Sequence, residues 1–323
     1  MYQLTCEILI STQSGLLRFD HANNIEVIRS SEKLTDTATI TLPRRIRWRG
    51  VEKNPIRRLD PVTIYLGYNG NNRLAFKGYV SKVGTRAPMV IECADEMMNL
   101  RTLPATKKAY TKTDIKTLLT EQGLTPVVMG VQNIGAFRVE CNTIAELLDS
   151  LSKQGIRTYF RIGSGTEPTL YSGLIIQPTD LRTFVFDNQK NIADDTNLEY
   201  TNTDSLRIKI KVVSHADENG KSKKTEVTTG DADGEIRTFN VIGMSEAEMK
   251  EYASNQYDRL KTSGLEGDIS VFGGDLIDKG DYLNIYIDGA DGGVYTCSKN
   301  EITWGDDGFR QKITIGQRIL LQE

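Results

Sequence analysis

Apolar and polar residues alternate singly over Ile25–Ser30 and Ala38–Leu42, and again over Val62–Tyr68 and Arg73–Val83. A period of two puts every second side chain on one face, so these runs predict strands with one buried side. The last two flank Asn69-Gly70-Asn71-Asn72, which is hairpin chemistry because Asn and Gly tolerate positive φ. Several antiparallel strands with no helix between them predict a barrel or sandwich up to about Ile91.

From about Asp95 to Ile176 the period lengthens. Met97, Met98 and Leu100 open a short helix that Pro104 follows. A second helix is predicted with Thr113 as its N-cap, Ile115, Leu118 and Leu119 on one face, and Gly123 past its end. A third starts at Thr143 with Glu146 three residues on, the spacing of a capping box, and carries the stripe Ile144, Leu147, Leu148 and Leu151. Pro126–Met129 and Ile156–Ile162 follow these helices as strand-like runs, so the segment reads as a small α+β module.

Strand signals return after Gln177. Leu206–Val213 and Lys223–Thr229 read as two strands separated by a polar tip, His215–Ser222. Ser245 and Glu248 form a second capping box ahead of a helix bearing Met249, Tyr252, Ala253 and Leu260. Four more strands, Asp268–Phe272, Asp281–Ile287, Val294–Trp304 and Phe309–Arg318, are separated by Gly/Asp turns. The fold class expected is therefore mainly β with an α+β insert, and the domains are expected at 1–94, 95–176 and 177–323. No low-complexity linker separates them, so they are expected to pack as one body.

Composition narrows the function more by exclusion than by indication. A chain of 323 residues is long enough for two or three domains. A net charge of −3 argues against specific nucleic-acid binding. No apolar run is long enough to span a bilayer, and Met1–Cys6 has no basic region ahead of an apolar stretch, so neither a membrane segment nor a signal peptide is expected. Cys6, Cys93, Cys141 and Cys297 stand far apart and form no C-x-x-C pair, so they are expected to be free thiols rather than disulfides or metal ligands.

Catalytic motifs are few and incomplete. Gly220-Lys221-Ser222 lacks the earlier glycine of a P-loop, that place being His215, and Gly163-Ser164-Gly165 is followed by Pro168 where a dinucleotide fingerprint has its third glycine. The two histidines, His21 and His215, sit in polar turns, and the Asp/Gly clusters lack calcium-loop spacing. No cofactor, metal or catalytic residue is assigned, and no pair of acids is singled out for a hydrolase. One charge feature stands out: Arg44, Arg45, Arg47, Arg49, Lys53, Arg57 and Arg58 surround Trp48 with Glu52 as the only acid among them. Arginine and tryptophan are enriched at protein interfaces, so Arg44, Arg45, Arg47, Trp48, Arg49, Arg57 and Arg58 are the candidate interface. A nucleic-acid backbone is the competing reading. The acidic stretch from Asp187 to Asp204 is expected to complement it on a neighbouring copy, and Asp217–Lys224 is a second contact candidate.

The strand–turn–strand "FKGYVSKVGTRAPMVIECADEMMNL", Phe76 to Leu100, resembles the baseplate hub family of contractile phage tails. That family includes the late-control proteins and the hub of phage Mu, and is related to the hub portion of type VI secretion spikes. The matching residues are Phe76, Gly78, Val80, Val83, Cys93, Asp95, Met98 and Leu100. The similarity extends to a helix at Thr111, a helix at Asn142, and the run "GDISVFGGDLIDKGDYL" over Gly267–Leu283. The resemblance implies two tail-tube-like β-barrel domains in one chain, so that three chains make a ring of six similar barrels joining the tail tube to the central spike. It implies as partners two further copies (a homotrimer), a tail tube protein, a tail spike protein and other baseplate proteins. The place implied is the virion tail baseplate, assembled in the bacterial host cytoplasm. The family's oligosaccharide-binding barrel, β-helical needle and lysozyme segment have no counterpart here. On this reading Gly78, Cys93 and Asp95 form a structural corner: Asp95 caps the helix, Cys93 is a small buried residue, and Gly78 relieves crowding. A peptidoglycan hydrolase and a glycan-binding β protein using Trp48 or Trp304 stand as the alternatives.

Overall fold

The computed structural model describes residues 3–43, 54–128, 133–153, 156–173, 181–193, 196–203, 206–218, 221–242 and 244–319. The first segment is all strand: β1 (Leu4–Thr12), β2 (Gly15–Phe19), β3 (Asn24–Ser30), β4 (Thr37–Leu42), β5 (Pro61–Tyr68), β6 (Asn71–Val83) and β7 (Met89–Ala94). Its alternating residues, among them Ile8, Ile10, Ile25, Val27, Ile40, Leu42, Ile64 and Leu66, point into one core. The insert follows as α1 (Met97–Leu100), β8 (Ala109–Asp114), α2 (Ile115–Glu121), β9 (Val127–Val128), β10 (Asn133–Arg138), α3 (Ile144–Lys153), β11 (Arg157–Arg161) and β12 (Thr169–Gly173). Its helices bury Ile115, Leu118, Leu147, Leu148 and Leu151 in a core of their own. The last segment holds β13 (Thr183–Asp187), β14 (Asn197–Thr201), β15 (Ile208–Glu218), β16 (Lys221–Gly230), β17 (Glu235–Ile242), α4 (Glu246–Lys261), β18 (Gly264–Phe272), β19 (Tyr282–Ile287), β20 (Ala290–Gly305) and β21 (Gly308–Ile319).

Three local expectations shift. The α2 helix is capped one residue later than Thr113, by Asp114, whose carboxylate accepts from Thr117 N at 2.8 Å. At α3 the hydroxyl of Thr143 accepts from Glu146 N, but Glu146 reaches back to the Asn142 N–H rather than to that of the cap. The box at Ser245 and Glu248 is complete. Strands β15 and β16 run on through the expected polar tip to Glu218 and Lys221, because cross-strand pairing there outweighs the lack of apolar patterning. The side chains of that tip lie outside the described residues. The α4 helix packs on β15 and β16, and Met249 and Ala253 share a separate core with Ile208, Ile210 and Val212.

One 13-stranded sheet runs through both β segments in the order β14-β18-β21-β20-β3-β4-β7-β6-β5-β1-β2, with β19 and β13 branching from β20. Among the described residues neither half closes on itself as a hydrogen-bonded barrel. The two halves nevertheless share a strand plan. With β2 and the separate sheet β15–β17 set aside, and strands counted in chain order within each half, the first half runs second-third-sixth-fifth-fourth-first, as β3-β4-β7-β6-β5-β1. The other half repeats it as β14-β18-β21-β20-β19-β13. One orientation differs, since β1 is antiparallel to β5 whereas β13 is parallel to β19. The long β20 splices the halves: residues up to Thr296 pair with β19, and Lys299–Gly305 pair with β3.

Candidate functional site

The link between β18 and β19 reads Asp275-Leu276-Ile277-Asp278-Lys279-Gly280-Asp281. Its Asp278, Lys279 and Asp281 are almost wholly buried, with exposures of 1%, 0% and 0%. Charged residues are buried so deeply only when paired. Here their partners come from every part of the chain.

Asp281 is gripped on both oxygens: Arg161 of β11 lies 2.6 Å from Oδ1, and Arg182, just ahead of β13, lies 2.7 Å from Oδ2. Arg161 also donates to the Lys279 carbonyl. Asp278 Oδ2 accepts from the backbone N–H groups of Ile162 and Gly163 at 3.0 and 2.9 Å, and Arg29 of β3 stands 3.6 Å away. Arg29 further donates to the carbonyls of Ala75 and Ile277. Lys279 crosses in the opposite direction. Its Nζ reaches Asp36 Oδ1 at 2.6 Å and lies 4.9 Å over the ring of Tyr159. Asn300 and Gln311 close the cluster through the Ile277 backbone. The first β segment, the insert and the last β segment are thus bolted together at one loop.

Burial alone would raise the Asp278 carboxyl, but Arg29, Arg161, Lys279 and the Gly163 N–H together hold it well below the usual carboxylate range. Asp36 goes the other way: burial raises it, aided by the Asp278 charge, against the pull of Lys279. Asp95 is pushed up to about 7, first by burial and then by the Asp36 charge. The two are tied by their backbones as well, since Asp36 N donates to Asp95 Oδ2 at 3.0 Å and Asp95 N to the Asp36 carbonyl at 3.1 Å.

The corner named from the sequence borders this cluster. Asp95 Oδ1 accepts from Met97 N at 3.0 Å at the start of α1. Cys93 is buried beside it, its thiol pushed up to about 12 by burial and by the Glu92 charge. A Cβ on Gly78 would stand 2.2 Å from the Ala94 carbonyl oxygen, so β6 can pass the corner only with glycine there. Glu92 pairs with Lys82 at the surface, and Glu96 is a half-buried neighbour of Tyr79. Of the arginine-rich stretch, Arg57 and Arg58 are exposed, whereas Arg44, Arg45, Arg47, Trp48 and Arg49 lie outside the described residues. Trp304 is buried in the first core. The cluster residues Arg29, Asp36, Arg161 and Lys279 were not singled out from the sequence. The available signal was the density of charge in "DLIDKGD", a stretch flanked by strands on both sides.

The turn inside that stretch occurs twice. At Ile277–Asp281, Asp281 Oδ2 accepts from Asp278 N at 2.8 Å, Gly280 N donates to the Cys297 carbonyl at 2.8 Å, and Cys297 N donates to the Asp281 carbonyl at 2.8 Å. At Ile56–Asp60, Asp60 Oδ2 accepts from Arg57 N at 2.7 Å, Leu59 N donates to the Val80 carbonyl at 2.8 Å, and Val80 N donates to the Asp60 carbonyl at 2.9 Å. Even the backbone hand repeats: φ is +88° at Gly280 and +73° at Leu59, a left-handed value that is costly for leucine. Arg57 and Arg58 therefore occupy in the first half the places of Asp278 and Lys279 in the second.

Among the described residues no group of His, Cys, Asp and Glu could hold a metal ion. A groove of about 570 Å³ is lined by Glu7, Arg18, Asp20, His21, Tyr65 and Trp304. Its acids are engaged, Glu7 by Arg18 at 2.9 Å and Asp20 by His21 at 2.7 Å.

No protein-family model and no curated protein matches the chain. Solved structures do. A tail protein from Neisseria meningitidis is similar over 97% of this chain and 96% of its own, with a TM-score of 0.63 at 15% identity. The 43 kDa tail protein of prophage MuSo2 from Shewanella oneidensis is similar over 96% and 97%, with a TM-score of 0.61 at 14% identity. A type VI secretion component from E. coli is similar over 92% of this chain and 74% of its own, with a TM-score of 0.56 at 8% identity. The chain has the fold of these phage tail and secretion proteins, as the resemblance to the baseplate hub family implied.

Proposed function

We propose that the chain is a structural baseplate hub protein, a homotrimer whose six similar β units ring a channel and join the tail tube to the central spike. The observation that carries this reading is the repeat: one strand plan and one hydrogen-bonded turn, each present twice in a single chain. Two like units per chain are what three chains need to present a near-six-fold face to a tube and a three-fold face to a spike. The division at 1–94, 95–176 and 177–323 belongs to the same proposal. The buried charge cluster suits it, because a part whose work is geometry needs its units held at one angle, and a satisfied polar network specifies orientation where an apolar seam would tolerate sliding.

A non-enzymatic role fits the chemistry. The carboxyls shifted upward in the junction, Asp36 and Asp95, are sealed from solvent, and the acids of the groove are engaged, Glu7 by Arg18 and Asp20 by the His21 ring. Trp304, although it borders the groove, is 6% exposed and leaves little surface on which a sugar could stack. The test is the absolute mass of the purified protein by light scattering over a concentration series, with negative-stain images of the largest species. A trimer with an open centre is expected. A monomer at every concentration, persisting when the tube and spike proteins encoded with it are added, would overturn the reading.

A further inference from the structure

The halves of the chain meet where β3, the outer strand of the first, pairs with the end of β20 in the second, Ser30 opposite Lys299 and Arg29 opposite Asn300. The repeat maps both sides of this joint onto free surface. Val80 corresponds to Cys297 through the shared turn, so Lys82 corresponds to Lys299. Glu26 pairs with Thr39 as Asn197 pairs with Asp268, and each pair holds the same place in its sheet, so Thr201 corresponds to Ser30 and Tyr200 to Arg29. Among the described residues strand β14 pairs only with β18, which leaves its other edge without a described partner. On the β5 side of β6, described pairing stops at Val80, before Lys82.

Resting on the trimeric reading above, we propose that the β14 edge of one copy pairs with the end of β6 in the next, Thr201 opposite Lys82. The joint already made inside the chain is thereby repeated between chains. Its chemistry is set by the residues that replace the buried cluster. Where Arg29 meets Asp278 within the chain, Tyr200, 66% exposed, meets Arg57 of the next copy, a cation over a ring. The cation is available in each copy. Arg57 and Arg58 are exposed, and neither has a carboxylate partner among the described residues. A head-to-tail contact of this kind uses two different surfaces on each copy, so it builds a ring when the rotation closes.

The test uses the full chain in a Cys141→Ser background with Thr201→Cys and Lys82→Cys together, oxidised gently and read on a non-reducing gel beside each single variant. Opposed residues in paired strands lie within disulfide reach. A ladder ending at trimer, reversed by reductant and absent from the single variants, is expected. Arg57→Glu with Arg58→Glu should lower the cross-linked fraction about tenfold, and Tyr200→Ala should lower it in the same direction. A trimer by mass that never cross-links overturns the joint and leaves the ring. A ladder running past trimer upholds the joint and overturns the three-fold ring. A monomer that does not cross-link at the highest attainable concentration overturns both.

Discussion

Replacing Lys279 by methionine removes the only cation within hydrogen-bonding reach of Asp36 among the described residues, while keeping most of the buried side-chain volume. At 2.6 Å and an effective dielectric of 20, the pair attracts by about 6 kcal/mol before desolvation is counted. The observed loss is smaller, because Asp36 can take up a proton instead of remaining an unpaired buried anion. Protonating a carboxyl whose unfolded pKa is near 3.9 costs about 4 kcal/mol at pH 7 and about 3 kcal/mol at pH 6. The variant should therefore lose roughly 3–4 kcal/mol near neutrality, in the range for broken buried ion pairs. The loss should grow with pH, by at most about 1.4 kcal/mol per unit, once the wild-type carboxyl, itself raised by burial, has ionised and until that of the variant does. The double variant Asp36→Asn with Lys279→Met, which leaves no charge unpaired, should recover more than half of it. Urea unfolding followed by circular dichroism at pH 5.5, 6.5 and 7.5 measures all three. A loss below about 1 kcal/mol, a loss that ignores pH, or a double variant no better than the single would refute this account of the junction.

Asp95 sets a slope of its own. Its carboxyl is raised from the ordinary value to about 7 in the folded protein, so the folded state binds the extra proton between those limits. Stability is then greatest below pH 4 as far as this group is concerned, falls as pH rises toward 7, and levels off above it, by at most about 1.4 kcal/mol per unit. Asp95→Asn should remove that slope, costing about 1–2 kcal/mol at pH 5, where one of two backbone donors loses its acceptor, and less at pH 8; unchanged pH dependence in urea titrations would count against the shift. The thiols divide too. Cys6 and Cys93 are buried and pushed up to about 12, chiefly by burial, Cys297 is buried and raised further, and Cys141 is partly exposed. A thiol reagent should accordingly label one cysteine per native chain, lost in Cys141→Ser, and labelling of Cys93 without denaturant would contradict the packed corner.

Much of the architecture could be read in the chain order of residue types. Period-two runs such as Ile25–Ser30 and Val62–Tyr68 became strands because alternation is a local property: each side chain faces the core or solvent by its own position. The capping box at Ser245 and Glu248, the hairpin at Asn69-Gly70 and the burial of Cys93 are local in the same sense. The apolar stripes of α2 and α3 likewise announced an insert with a core of its own. What only the tertiary structure decided was who meets whom. Arg29 and Asp278, or Lys279 and Asp36, lie more than two hundred positions apart, and an ion pair leaves no periodic trace, so "DLIDKGD" looked like one more polar turn. The repeat was hidden for a related reason. The turns at Ile56–Asp60 and Ile277–Asp281 are alike in their backbone hydrogen bonds, while their side chains, Arg-Arg-Leu against Asp-Lys-Gly, have diverged with their surroundings. Backbone geometry is permissive of side-chain identity as long as the left-handed residue and the closing aspartate are kept. Sequence therefore determined the strongly patterned elements and their inner faces, but not strands such as β1, β13 or β14, and the fold determined which distant charges meet at the joint buried within the chain.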